Sequence, residues 1–403
     1  MSMLQIVWRS LRQHAFSTAV TAFSIALAGA LLLSVWILQD QTRRTFTGMD
    51  AGFDAVLGAR GSKLQLVLNS IFHLEESSGN LRVEDYLEIQ KHPHVDLAVP
   101  LALGDNLKGY RVVGTSLDFF TRSEYRPGLR YRLQEGGRFF DPNNREAVVG
   151  SFVAQKLGLK PGDTLHPSHG LTDTKGHEHE DEYVVVGILK PSNTPADRVV
   201  WIPLEGIQYM TGHSDKAPEE LSAVLVRLKA GNATAGFLLD RTYNKEGTRL
   251  TWAWPIGRIM AQLFDKIGWF DRILELIAGL VAVVAVASVT ASTYNSMNER
   301  RREIAILRAL GARRITIFTS VVMEGLVIAT VGMLGGLILS AGIFAVVGGI
   351  LRTQVGVVLE GWAGHPVLWW GPLVMISLAT LAGTIPAWKA CRVDVAQNLS
   401  PTS

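Results

Sequence analysis

The chain has 403 residues, 48% of them hydrophobic and 19% charged, and a formal net charge of +3. That is too apolar for an ordinary soluble protein, and so small a charge excess gives no sign of nucleic-acid binding. The only cysteine, Cys391, has no partner with which to form an intrachain disulfide.

From the N-terminus, Leu4, Ile6, Val7, Trp8 and Leu11, set among basic residues, predict an amphipathic helix over 1–14 lying on the inner membrane surface. A helix needs about twenty apolar residues to cross the hydrocarbon core. The first span, 15–39, has no charge in 25 residues. It is too long for a signal peptide, and no polar sequence follows Ala26-Leu27-Ala28, so it reads as an uncleaved anchor.

Residues 40–272 are expected to form an outer domain of mixed α and β character. Strand-like runs lie at 111–113, 147–149, 183–189, 199–202 and 223–228, and helical patterns at 82–91 and 152–157. Leu64, Val67, Leu68, Ile71 and Phe72 share one helical face, read first as packing on the domain core and second as touching lipid or cargo. Gly58 to Lys63, G-A-R-G-S-K, lacks the spacing of a phosphate loop, and no such loop occurs elsewhere in the sequence. No catalytic constellation is visible, so ATP and magnesium are expected in a separate ATPase subunit.

Nine of the ten histidines fall on the expected outer side. His166, His169, His177 and His179 crowd together with Asp173, Glu178, Glu180, Asp181 and Glu182. Imidazole and carboxylate together suit zinc, with His177 and His179 the first candidates as ligands. The same composition also suits a solvated hairpin tip, and the sequence fixes no geometry. His92 and His94 form a second pair.

Three further spans follow at 273–298, 315–351 and 366–388, with a short outer loop at 352–365 and a tail at 389–403. From Leu276 the second is free of charge, and the third carries only Glu324. Glu324 lies about 15 Å along a helix from Arg314, which points its carboxylate toward the inner headgroups and an arginine. Gly332, Gly336 and Ser340 in the third span, and Ala278, Ala282 and Ala285 in the second, form small-residue faces that suit an intramolecular seam or a dimer contact. Four spans put both termini on one side. Arg9, Arg12, Lys389, Arg392 and the loop 299–314 mark that side as cytoplasmic. In this loop Ile304, Leu307 and Leu310 recur at helical spacing among arginines, and Gly311 is placed to cap the helix. Such a stripe calls for a partner groove, the alternative being a basic turn on anionic headgroups.

Glu299 to Ala312, E-R-R-R-E-I-A-I-L-R-A-L-G-A, resembles the E-R-x-x-E-I-x-I-x-R-A-x-G-A coupling helix of the FtsX and MacB superfamily of permeases, the type VII ABC transporters. Ile385 to Leu399 resembles that family's C-terminal motif, with Val395 where proline is usual. The stretches 112–120, 133–140, 147–165 and 183–189 resemble the MacB-type periplasmic core. The resemblance implies four transmembrane α-helices, with a large α+β extracytoplasmic domain between the first and second, in a bacterial inner (plasma) membrane. It implies that Glu299, Arg302, Glu303, Ile304, Leu307, Arg308, Leu310 and Gly311 seat in a cytoplasmic ABC ATPase. A second permease, identical or related, would complete the assembly within membrane lipid, and a periplasmic adaptor or substrate-binding protein is a further candidate partner. The expected function is mechanotransmission, in which ATP-driven movement exports or extracts a lipid, lipoprotein, peptide or drug. The alternatives are FtsX-like signalling to a periplasmic partner and zinc sensing through the His-rich loop.

Overall fold

The computed structural model describes residues 3–170, 179–229, 233–359 and 362–390. In chain order the helices are α1 (Met3–Gln13), α2 (Ala15–Thr47), α3 (Lys63–Ser70), α4 (Val83–Gln90), α5 (Asp118–Thr121) and α6 (Ser151–Leu157). They continue with α7 (Leu204–Gln208), α8 (Ala233–Asp240), α9 (Ile256–Glu299), α10 (Arg301–Ala309), α11 (Arg314–Val355) and α12 (Val367–Ala390). The chain divides into two compact units, one of residues 1–42, 267–348 and 360–403, the other of 43–266 and 349–359.

The first unit contains the apolar stretches of α2, α9, α11 and α12, each helix long and apolar enough to cross a membrane. Lipid offers no hydrophobic drive for helices to meet, so close backbone approach between small residues takes its place. A Cβ added at Gly332 would lie 2.6 Å from the Ala22 carbonyl oxygen, and one at Gly336 3.0 Å from that of Ala26. Ser34 Oγ donates to Ser340 Oγ at 3.3 Å. The small-residue face of α11 is therefore an intramolecular seam against α2. Ala278 and Ala285 of α9 are buried, and Ala282 packs with Ala28, Leu33, Ile37 and Met333. The second span's small face is thus also turned toward the chain's own helices.

The helices run past the apolar limits read from sequence: α2 continues from Gln39 to Thr47, and α9 starts at Ile256. Residues 349–359, read from sequence as the end of the third span and a loop, belong to the other unit, where Val357 is fully buried and Val355 packs against the same core. Hydropathy does not register this change, because apolar residues fill both environments.

The second unit is built on β1 (Ala55–Ala59), β2 (Leu81–Arg82), β3 (Val95–Leu107), β4 (Tyr110–Thr115), β5 (Glu146–Val149) and β6 (Thr164–Leu165). The remaining strands are β7 (Ser168–His169), β8 (Tyr183–Ile188), β9 (Val200–Pro203), β10 (Glu220–Leu221), β11 (Ala223–Leu228) and β12 (Leu250–Ala253). The main sheet runs β12-β1-β11-β3-β4-β9-β5-β8-β6, with β7 on β3 and a separate β10-β2 pair. Pairing is antiparallel except for β4 with β9 and β5 with β8. Both faces are covered. Successive side chains alternate between them, so Ala223 and Leu225 enter one core while Val224 and Val226 enter another. Trp201 likewise joins the first core, between Val200 and Ile202, which join a third. Ser62 caps α3 through the Gln65 amide. Leu66, Val67, Ile71 and Phe72 are buried, so this apolar face packs on the domain core.

Candidate functional site

β3 is thirteen residues long and shifts register between Leu103 and Asp105, at Gly104. An irregularity of this kind re-aims a side chain within a strand. Asp105 is fully buried here and lies opposite His169 of β7. Asn106, also buried, donates to the carbonyl oxygens of Ser168 and Gly170 at 3.3 and 3.0 Å and so fastens β7 to β3.

Three imidazoles converge on Asp105. His169 Nδ1 lies 3.2 Å from Oδ1, His179 Nε2 3.3 Å from Oδ1, and His213 Nε2 3.3 Å from Oδ2. Ring centroids are 5.1 to 5.5 Å apart, and one ligand atom from each of the four residues falls within 4.8 Å of all the others. His179 and His213 are 6% and 10% exposed, whereas His169 is 60% exposed and stands at the surface. A cavity of about 270 Å³, lined in part by Gly104, His169, Gly212 and His213, opens beside them.

A second layer holds the rings. His179 Nδ1 contacts the Thr211 carbonyl oxygen at 2.7 Å, and His213 Nδ1 that of Ile207 at 2.8 Å. Asp181 accepts from the Thr211 amide at 2.6 Å and pairs with Arg145 at 2.6 Å. Burial pushes the Asp181 carboxyl up, but the Thr211 hydrogen bonds and the Arg145 guanidinium outweigh it, leaving the carboxyl below its ordinary value. The Asp105 carboxylate raises the His213 imidazole above its ordinary value, against the effect of burial.

The basic segment between the second and third spans folds as α10. Ile304 and Ala305 are buried, Ile304 among Met297, Ile317, Val321 and Ala387. Ile306, Leu307 and Leu310 are 43%, 43% and 80% exposed. The Gly311 amide donates to the Arg308 carbonyl and the Ala312 amide to that of Leu307, with Gly311 at φ +96°. This paired closure needs a left-handed residue, which glycine adopts without a Cβ penalty. Behind the helix, Ser10 donates to Glu324 at 2.7 Å, and Arg300 Nη1 lies 3.3 Å from the same carboxylate. Glu324 does meet an arginine, though it is Arg300 rather than Arg314.

Residues 18–237 match the MacB-like periplasmic core domain family, and residues 275–395 match the FtsX-like permease C-terminal family. The first match alone spans more than half of the chain. This chain belongs to the FtsX/MacB-like ABC transporter permeases. Among its relatives, the macrolide export ATP-binding/permease protein MacB of Nitrosomonas europaea is 22% identical, covering 98% of this permease and 59% of that protein. An uncharacterised ABC transporter permease of Mycobacterium tuberculosis is 26% identical, over 98% of this chain and 44% of its own length. The pyoverdine export ATP-binding/permease protein PvdT of Pseudomonas putida is 24% identical, over 98% and 59%. The permease thus spans roughly half of each of these relatives. As a family, these permeases work with an ATPase.

In this permease the metal candidates read from sequence separate. His169 and His179 enter the cluster, His166 instead faces Glu182 at 3.8 Å, and His177 lies outside the described residues. The rings of His92 and His94 lie tilted to each other at 5.4 Å, and among the described residues they belong to no such group. Asp105 and His213, which lie 74 and 34 positions from His179, are not among the candidates that the sequence offers. Only an acid beside a glycine inside the apolar run 97–107 hinted at a buried carboxylate. The coupling stripe also needs correction, because Ile304 points into the permease's own core. Its exposed apolar surface is Ile306, Leu307 and Leu310, flanked by exposed Arg301 and Arg302 and half-buried Arg308.

Proposed function

We propose that this permease is the membrane subunit of an exporter or extractor in which a separate cytoplasmic ATPase drives movement of the outer unit. The exposed apolar surface of α10, ringed by arginine and anchored from behind by Ile304 and the Ser10–Arg300–Glu324 contacts, carries the reading. An exposed apolar patch with a charged rim is the pattern of a protein docking surface rather than of a solvated turn. The α10 side is the cytoplasmic one, by its arginines. Three of the four boundaries between the two compact units fall within α2, α9 and α11, so these three continuous helices provide a covalent route for the stroke.

Glu324 is the single charged residue within the three spans 15–39, 276–298 and 315–351, and it is satisfied by Ser10 and Arg300. The absence of a polar track there favours an apolar or amphiphilic cargo over a small hydrophilic solute passing through a pore. On α9, Leu276, Leu280, Val283 and Val284 form an exposed face opposite the buried alanines, which suits lipid or a second permease. The test is co-purification of the ATPase with the permease in detergent. Leu307→Glu combined with Leu310→Glu is expected to abolish ATPase capture while leaving the outer unit folded. Undiminished capture would remove α10 as the docking element.

A further inference from the structure

We propose that Asp105, His169, His179 and His213 are the ligands of a divalent transition-metal site in the outer unit, with zinc as the ion that best fits.

A backbone carbonyl can only accept, so His179 Nδ1 at 2.7 Å from Thr211 O and His213 Nδ1 at 2.8 Å from Ile207 O must each carry hydrogen. In the neutral imidazole the lone pair is then on Nε2, and in both residues Nε2 is the atom turned toward Asp105, at 3.3 Å. A lone pair aimed at a carboxylate oxygen is repulsive unless a proton or a metal cation lies between them. This is the arrangement that metal-bound histidines adopt, with the far nitrogen tied to a carbonyl and the near one free to ligate. His169 turns Nδ1 to Asp105 and can donate there as a neutral ring, so protons alone would satisfy the cluster only by making imidazolium ions of the two buried rings, His179 and His213, 5.1 Å apart beside one carboxylate. One divalent ion satisfies all four groups at once.

The donor set selects the ion. Three imidazole nitrogens and one carboxylate oxygen, with no thiolate or thioether, match four-coordinate zinc and not the all-oxygen shells of magnesium or calcium. Ligand atoms that stand within 4.8 Å of one another must draw in to about 3.4 Å to close on one zinc at about 2.1 Å. The cavity of about 270 Å³ and the exposed His169 give the ion a way in and out. Two ligands, His169 and His179, flank the acidic and His-rich stretch 171–178, yet the four-ligand set needs none of its residues.

The experiment uses the full chain in detergent, stripped with chelator and titrated with zinc sulfate against a chromogenic zinc indicator. One zinc per chain is expected, with a rise in the unfolding temperature of the outer unit on zinc addition and a fall with chelator. His169→Ala, at the surface, removes a ligand without disturbing the fold and should weaken binding roughly ten-fold or more. His213→Ala should do the same, with circular dichroism reporting its fold. His166→Ala and His177→Ala should bind as the parent does. Cobalt(II) in place of zinc should give the intense visible bands of a tetrahedral site. Failure to hold one zinc per chain would overturn the proposal, and so would binding lost in His177→Ala but kept in His169→Ala. Each outcome is independent of whether the ATPase docks on α10.

Discussion

The two units are held together by opposite uses of side-chain volume. In the outer unit the core is filled by large rings: Trp201 stacks on Phe119 at 4.4 Å, Phe119 on Tyr131 at 5.1 Å, and Phe120 on Phe139 at 5.1 Å. In the membrane unit, α2 and α11 meet where side chains are nearly absent, at Gly332 and Gly336. Water gives the first core its drive, since each buried ring is withdrawn from solvent. Lipid gives no such gain, so the second depends on backbone proximity. Stability is lost in the first by removing atoms and in the second by adding them.

The largest effect is expected from Trp201→Ala, since Trp201 is 1% exposed and its indole nitrogen donates to the Ala196 carbonyl at 3.2 Å. Truncating a buried Trp costs about 3–5 kcal/mol. Hydrogen exchange across β3, β4 and β9 should accelerate while α2 and α11 stay protected. Equal acceleration in both units would break the contrast. Next comes Gly332→Ala, whose new methyl would fall 2.6 Å from the Ala22 carbonyl and 2.8 Å from Ile25 Cβ. Overpacking of this kind costs about 1–3 kcal/mol, whereas Gly342→Ala on the same helix meets nothing within 4 Å and should be neutral. Matched detergent-unfolding curves for the two variants would show that the seam tolerates volume.

The smallest effect concerns charge. Burial pushes Asp85 up, but the Arg249 guanidinium and the Arg82 amide prevail and hold its carboxyl below the ordinary 3.8. A depressed carboxyl stabilises the fold above its unfolded value, and this contribution is lost as pH falls through the folded one. Arg249→Gln should therefore move acid unfolding of the outer unit to higher pH and leave the membrane unit unchanged. An unaltered acid midpoint would show that the pair, whose arginine is half exposed, adds nothing.

How much could be read from the chain follows the same division. Membrane helices are local objects: an uncharged run such as 15–39 declares itself, as did the cap at Gly311. The outer sheet is assembled from distant segments, and β3 was not recognised at all, since Pro100, Gly104 and the polar pair Asp105-Asn106 interrupt its alternation. The candidate metal centre shares that difficulty. His169 and His179 were visible because composition concentrates histidine there, while His213 and Asp105 join them only through the β3–β7 pairing and the loop after α7. Ile304 illustrates the converse: periodicity identified a helical stripe correctly but could not tell which part of it the chain would bury against itself.

The seam between α2 and α11 also governs the timing of assembly. Ala22 and Ala26 of α2 meet Gly332 and Gly336, about three hundred residues later in the chain. At about 5–20 residues per second of synthesis, the first span waits on the order of 15 to 60 s before its partner emerges. In that interval the small-residue face of α2 lacks its partner in α11, and the outer sheet, whose last strand ends at Ala253, has already been translated in full. A nascent chain stalled before α11 would carry the complete sheet on a first helix that lacks its seat.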